Sequence, residues 1–250
     1  MNKNSNLALV NLELSRAGQT LLLFGEKAVF WKEQQILILS DLHLGKSHHF
    51  QRNGIPLPDG YQDLTLSRLE ALITFTQASR VFFLGDLFHS KYNPEWEYFR
   101  IWVEQLKSFS TGQISELRLV KGNHDILPES IYQSAGLKLC DHWTEGPFLF
   151  LHDRDGAVSK KLLMDRKPAL CFSGHKHPGV RIKTSARESI PLPCFHFTVS
   201  DLILPAFGDL TGLHLITPNN QDEVYAIAEG ELFLIPNTSL STRNSKRFRP

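Results

Sequence analysis

The chain has 250 residues, of which 42% are hydrophobic and 21% charged, and its 27 Lys and Arg against 26 Asp and Glu leave a net charge of +1. This is the composition of an ordinary soluble globular protein, long enough to bury a core without staples. The near-neutral balance excludes a global electrostatic drive toward polyanions, so any attraction to phosphate must be local.

Residues 1–6 are polar and read as a frayed terminus. Four short apolar runs then predict strands over 7–14, 20–24, 28–31 and 36–39, with Ala17-Gly18 and Gly25-Glu26 as turns, forming a sheet edge that leads into Ser40-Asp41-Leu42-His43. Residues 45–58 carry Lys46, His48, His49 and Arg52 without an acidic residue and end in Ile-Pro-Leu-Pro, which reads as a basic loop, either placed to meet an anionic substrate or simply solvated. Leu66, Leu69, Leu72, Ile73 and Thr76 predict a helix over 61–79. A second helix is predicted with Asn93 as N-cap, Pro94 at its first position and Trp96, Phe99, Val103 and Leu106 as its buried stripe, Trp102 falling off the stripe and toward solvent. Short helices are expected over 128–136 and 157–164. Strands at 194–199, 202–203, 213–216, 224–228 and 232–235 predict a second sheet packed on the first.

Asp41 and His43 are two residues apart at the end of an apolar run, so continued strand alternation would send both side chains to one side, where a carboxylate and an imidazole suit a divalent metal. One Asp-x-His is a weak signal. The pattern, however, recurs: 81–84 runs into Gly85-Asp86, 117–120 into Gly122-Asn123-His124-Asp125, 148–151 into His152, and 169–172 into Ser173-Gly174-His175-Lys176-His177. Five apolar runs ending in metal-capable residues place a candidate site at the carboxyl ends of neighbouring strands, where α/β sheets bind ligands.

In kind and order these motifs resemble those of the calcineurin-like metallophosphoesterases. Flanking text, including Glu26-Lys-Ala-Val-Phe-Trp31, Asp41-Leu-His-Leu-Gly-Lys46, Gly85-Asp-Leu-Phe-His-Ser90, His177-Pro-Gly-Val180 and Leu204-Pro-Ala-Phe-Gly208 with Thr211-Gly212, is similar to the bacterial ligase-associated DNA damage response phosphoesterases, often called endonucleases. Two details depart from the commonest pattern: Asp153 follows His152 where glycine is usual, and His89 stands where an acid or Asn is usual. The resemblance implies an α/β fold, a four-layer α/β/β/α sandwich of two central mixed sheets flanked by helices. It implies one metal on Asp41, His43 and His177 and a second on Asn123, His152 and His175, with Asp86 bridging. The ions would be Mn²⁺, or else Fe or Zn²⁺. Such a pair would lower the pKa of a shared, bridging water for in-line attack on a phosphodiester.

By the same resemblance His124 is the catalytic imidazole, facing the phosphoryl or leaving oxygen. Asp125 reads as a brace, and Lys46 and His89 as candidate substrate contacts. The expected activity is hydrolysis of nucleic acid by an endonuclease in DNA repair, with ligase or helicase partners. The alternatives are a small-molecule nucleotide or pyrophosphate hydrolase and a non-catalytic scaffold. The expected domain is 1–236, followed by a basic tail, 237–250, bearing Arg243, Lys246, Arg247 and Arg249. Cys140, Cys171 and Cys194 lack a C-x-x-C spacing and read as reduced, buried thiols. No apolar stretch reaches the ~18 residues of a membrane span and no signal-peptide core follows the terminus, so the expectation is a cytoplasmic protein with no membrane partner.

Overall fold

Strands that are apolar at every position need cover on both faces. The computed structural model, which describes residues 9–52, 54, 61–89, 95–109, 114–183 and 189–236, provides it with two stacked sheets. The first half of the chain gives β1 (Asn11–Arg16), β2 (Gln19–Phe24), β3 (Ala28–Trp31), β4 (Ile36–Leu39), α1 (Lys46–Arg52), α2 (Tyr61–Thr76), β5 (Arg80–Leu84), α3 (Glu95–Phe109) and β6 (Glu116–Val120). There follow α4 (Glu129–Ser134), β7 (Leu137–Cys140), β8 (Trp143–Glu145), β9 (Phe148–Phe150), α5 (Ala157–Arg166) and β10 (Leu170–Ser173). The last part is all strand: β11 (Pro178–Lys183), β12 (Ser189–Phe197), β13 (Asp201–Ile203), β14 (His214–Leu215), β15 (Glu223–Ala228) and β16 (Glu231–Ile235).

The first sheet runs in the order β1-β2-β3-β4-β5-β6-β7, antiparallel as far as β4 and parallel from β4 to β7. The second runs β14-β11-β12-β13-β10-β9-β8, with β15 and β16 added at β12. In β4 and β5, Ile36, Ile38, Phe82 and Leu84 face the second sheet, where they meet Phe148, Phe150 and Phe172. Alternate residues, Leu37, Leu39, Val81 and Phe83, face Leu66, Leu69 and Leu72 of α2 and Phe99, Val103 and Leu106 of α3. Trp31 sits between the sheets with its ring 4.7 Å from that of Phe148. On the far side, Leu162 and Leu163 of α5 cover Leu149, Leu151 and Cys171. The four expected layers are present.

The expected strands all form, and three more appear. β7 and β8 are only four and three residues long, and β11 mixes Pro178, Gly179, Arg181 and Lys183 with its apolar residues, so their patterning is too weak to announce a strand, and pairing to a neighbouring strand makes them. The predicted loop after His43 is instead helical over Lys46–Arg52. Ile55-Pro-Leu-Pro58, the end of the expected loop, lies outside the described residues, as do residues 53, 59 and 60. So do Asn93 and Pro94, the expected cap of α3, and the basic tail 237–250.

Trp102 is buried at 7% exposure, not solvent-facing, because the apolar stripe of α3 is wider than the single row Phe99–Val103–Leu106. Its ring lies 5.5 Å from that of Phe99, one turn away. The three cysteines are free; Cys171 and Cys194 are buried, which pushes their thiols up to about 12, and Cys140 is half-buried. No described helix is long and apolar enough to cross a membrane. Trp102→Ala is predicted to cost about 3–5 kcal/mol in a urea unfolding series, the usual loss for a core aromatic; a loss below ~1 kcal/mol would return Trp102 to the surface.

Candidate active site

The candidate residues come from the ends of both sheets. Asp41, Asp86 and Asn123 follow β4, β5 and β6 of the first sheet, and His152, His175 and His177 follow β9 and β10 of the second. The loops after β4 and β5 zip together: Asp41 N–H donates to Gly85 O (3.1 Å), His43 N–H to Asp86 O (2.9 Å) and Leu44 N–H to Leu87 O (2.9 Å). Strand alternation is not what brings Asp41 and His43 together. β4 ends at Leu39, and both residues are left-handed, with φ of 54° and 48°. Asp86, His175 and His177 are left-handed too (51°, 68° and 47°), so five candidate ligands each carry a strain of roughly 1–2 kcal/mol.

The side chains form two groups. Ligand atoms of Asp41, His43 and His177 lie within 4.8 Å of one another, and so do those of Asp86, His152 and His175. Asn123 joins the second group with Oδ1 3.2 Å from His152 Nε2. The buried Asp86 carboxylate stands between the groups, with Oδ2 3.8 Å from His43 Nε2 and Oδ1 3.4 Å from His152 Nε2. All seven candidate ligands are thus brought together.

Glycines let the motifs interlock. A Cβ on Gly85 would stand 2.1 Å from His152 Nδ1, one on Gly122 2.3 Å from Asp86 Oδ1, and one on Gly174 2.5 Å from Asp41 Oδ2. Backbone donors complete the hold: His124 N–H donates to Asp86 Oδ1 (2.9 Å) and His175 N–H to Asp41 Oδ2 (2.9 Å). Asp125 accepts from the N–H groups of Asp86 (2.8 Å), Leu87 (3.0 Å) and Gly122 (2.8 Å), which is the bracing expected of it.

The donor set fits divalent metal ions. Asp41 Oδ1, His43 Nε2 and His177 Nε2 are buried without a well-aligned hydrogen-bond partner, although His177 Nε2 stands 3.2 Å from Asp41 Oδ1. Buried polar atoms left in that condition are costly, and a shared cation would satisfy all three. Burial pushes His43 down to about 3, so its ring is neutral with a lone pair to offer. Burial would raise Asp41, but the close His177 ring and the neighbouring His152 hold it below the usual carboxylate range. His152 Nδ1 lies 2.8 Å from Leu84 O; a carbonyl only accepts, so Nδ1 carries the proton and Nε2 keeps the lone pair that a metal ion requires.

His124 stands on the first group's side, its ring 5.3 Å from that of His43 and its Nδ1 3.2 Å from His89 O. The His89 ring stacks on it at 5.6 Å. Lys46 opens α1 half-buried, lining a small recess with His43, Ser47, Thr65 and Asp209. Burial lowers its ammonium, while Asp86 and Asp41 favour the charge. Beside the second group, Arg154, Lys176, His196 and Asn219 line an open cleft of about 450 Å³. No sequence motif announces Arg154 or the cleft, because its walls come from four separate segments.

The calcineurin-like phosphoesterase family model matches residues 35–179, more than half of the chain. Comparison with curated proteins gives no match. Among solved structures, the nuclease MPE of Pseudomonas putida superposes with a TM-score of 0.70 at 23% identity, covering 90% of this chain and 100% of that one. A protein of unknown function from Aquifex aeolicus gives 0.42 at 19% identity, covering 57% and 78%, and the phosphoesterase YfcE of E. coli gives 0.36 at 14%, covering 82% and 94%. The first of these shares the fold across nearly all of this chain.

Asp125→Ala would strand two buried N–H groups, of Asp86 and Leu87, and the half-buried one of Gly122, all of which now share a carboxylate. It is predicted to cost roughly 2–5 kcal/mol of stability. The loss should appear in urea unfolding with chelator present; unchanged stability without metal would mean that Asp125 acts through an ion instead.

Proposed function

Since the chain belongs to the calcineurin-like phosphoesterase family, whose members are metal-dependent phosphoesterases, we propose that it is a two-metal phosphodiesterase acting on nucleic acid, an endonuclease of DNA repair. The observation that carries this reading is the Asp86 carboxylate set between two groups of donors, with His124 beside them. Asp41, His43 and His177 would hold one ion and Asn123, His152 and His175 the other, with the Asp86 carboxylate placed between the two groups. Carboxylate, amide oxygen and imidazole without thiolate form a mixed set that suits Mn²⁺, Fe or Zn²⁺. When bound, two such ions supply an activated water and neutralise the charge that builds on a phosphoryl group.

The chain's own groups do the rest. With Nδ1–H of His124 held by His89 O, its Nε2 is the atom left for substrate, and in the imidazolium form it protonates the departing oxygen. Lys46 places a cation beside the first half-site for a phosphoryl oxygen, and His89, stacked on His124, contacts the substrate next to it. The cleft lined by Arg154 and Lys176 leaves room for a nucleotide next to the scissile bond, which favours an extended diester over a phosphomonoester. Nucleic acid is further supported by the shared fold with a solved nuclease, and repair by the segments that resemble the ligase-associated phosphoesterases. In this reading one domain through residue 236 carries the activity, a ligase and a helicase are its partners in repair, and three free thiols suit the reducing cytoplasm.

With Mn²⁺ the protein is predicted to hydrolyse a phosphodiester in preference to a phosphomonoester and to cut single-stranded or supercoiled DNA. His124→Ala should lower DNA cleavage about 10²–10⁴-fold, the usual range for loss of a general acid. Bis-nitrophenyl phosphate, whose leaving group departs without a proton, should suffer less. Diester hydrolysis that leaves DNA intact would reassign the substrate to a small nucleotide or pyrophosphate, and equal losses on both diesters would remove the acid role from His124.

A further inference from the structure

The segment Leu204-Pro-Ala-Phe-Gly-Asp209 supplies no metal donor, yet it is buried from Leu204 to Gly208 and touches both sheets beside the site. Leu204 N–H donates to Ser173 O (2.8 Å), one residue before the Gly174-His175 turn. Three residues later Phe207 N–H donates to Ser40 O (2.8 Å), and Gly208 N–H donates to Asp41 O (3.1 Å). The last two bonds grip the backbone where Asp41 takes up its left-handed conformation. Gly208 is pressed so closely on this turn that a Cβ would stand 2.3 Å from Leu42 O.

The strap is itself held from outside. The Arg68 guanidinium, projecting from α2, donates through Nη2 to Phe207 O and through Nη1 to Asp209 Oδ2 (2.7 Å), and its Cζ lies 4.4 Å over the Phe207 ring. Lys27, in the turn between β2 and β3, meets the other oxygen of Asp209 at 2.5 Å. One carboxylate thus takes two cations from two different elements, and one arginine satisfies a carbonyl, a carboxylate and an aromatic face at once. A lysine has the charge for one of these contacts but not the planar fork for all three.

We propose that the strap 204–209, locked by Arg68, is a positioning element for the first metal half-site. It fixes the Asp41–His43 turn in the conformation that aims both side chains at one ion, and so sets that ion's affinity. Arg68 and Gly208 are positioning residues: neither touches the ion or the substrate. The inference rests on the reading of Asp41, His43 and His177 as a metal half-site. It leaves Asn123 and His152 of the second half-site to other supports, because among the described residues no backbone hydrogen bond runs from the strap to the turns that carry them; the bond to Ser173 O steadies the strand ahead of both His175 and His177 and so does not discriminate between the half-sites.

The test is a calorimetric Mn²⁺ titration of metal-free full-length protein, with electron paramagnetic resonance to separate paired from single ions. Wild type should take up two ions with a spin-coupled signal. In Gly208→Ala and Arg68→Met one ion should weaken roughly 10–100-fold, the usual effect of losing a group that orients a ligand, while the other keeps its affinity and gives an isolated-ion spectrum. Arg68→Lys should fall between wild type and Arg68→Met, and it decides the matter if Gly208→Ala does not fold. Thermal midpoints in chelator should change little for the Arg68 variants. Variant titrations that overlay wild type, or equal weakening of both ions together with a fall in the chelated midpoint, would overturn the positioning role. Wild type that binds no Mn²⁺ would instead overturn the half-site reading beneath it.

Discussion

A carboxylate at 2% exposure, as Asp86 is, has lost nearly all of its water and must be compensated by donors or cations close by. The rest of the structure is arranged to provide that compensation. His124 N–H reaches one oxygen, His43 and His152 approach from opposite sides, and Asp125 fixes the backbone that delivers the group. Because the histidines come one from each sheet, the position of Asp86 depends on how the two sheets stack. The aromatic layer between them, Trp31, Phe82, Phe148, Phe150 and Phe172, therefore belongs to the site's architecture as well as to the core.

The backbone at the site is held against its own preferences. Five of the seven candidate ligands sit in the left-handed region, where L-residues carry strain and where neighbouring segments must over-determine the conformation. The structure shows what does so: the zip between the β4 and β5 loops, the glycines on which other motifs' ligands rest, and the strap that grips Asp41 from behind. A left-handed turn at each strand end has a geometric use. It lets successive donors, such as Asp41 and His43, converge on one point where plain alternation at the end of β4 would have carried the chain past it.

Much of this was legible in the sequence. The runs Ile36–Leu39 and Val81–Leu84 announce strands buried on both faces because every position is apolar, and the chemistry-bearing residues at their ends announce a site. Asp125, at the end of the Gly122-Asn123-His124-Asp125 run, was readable as a brace, and its three backbone partners bear that out. What escaped was either weakly patterned or non-local. β8 is three residues with no apolar alternation, and only its pairing with β9 makes it a strand. Trp102 looked exposed because a one-row helical stripe is too narrow a description of α3. The partnership of Arg68 with a strap 139 residues away has no sequence signature at all, since it exists only once α2 and the second sheet have packed. The Arg154 cleft is hidden for the same reason.

The central claim is that these strand ends make one centre of two half-sites joined by Asp86, and diffraction from manganese-soaked crystals at the metal absorption edge tests it most directly. The account predicts two anomalous peaks per chain about 3.5–4 Å apart, one against Asp41, His43 and His177, the other against Asn123, His152 and His175, with Asp86 between them. A single peak, or two peaks that do not share Asp86, would contradict it.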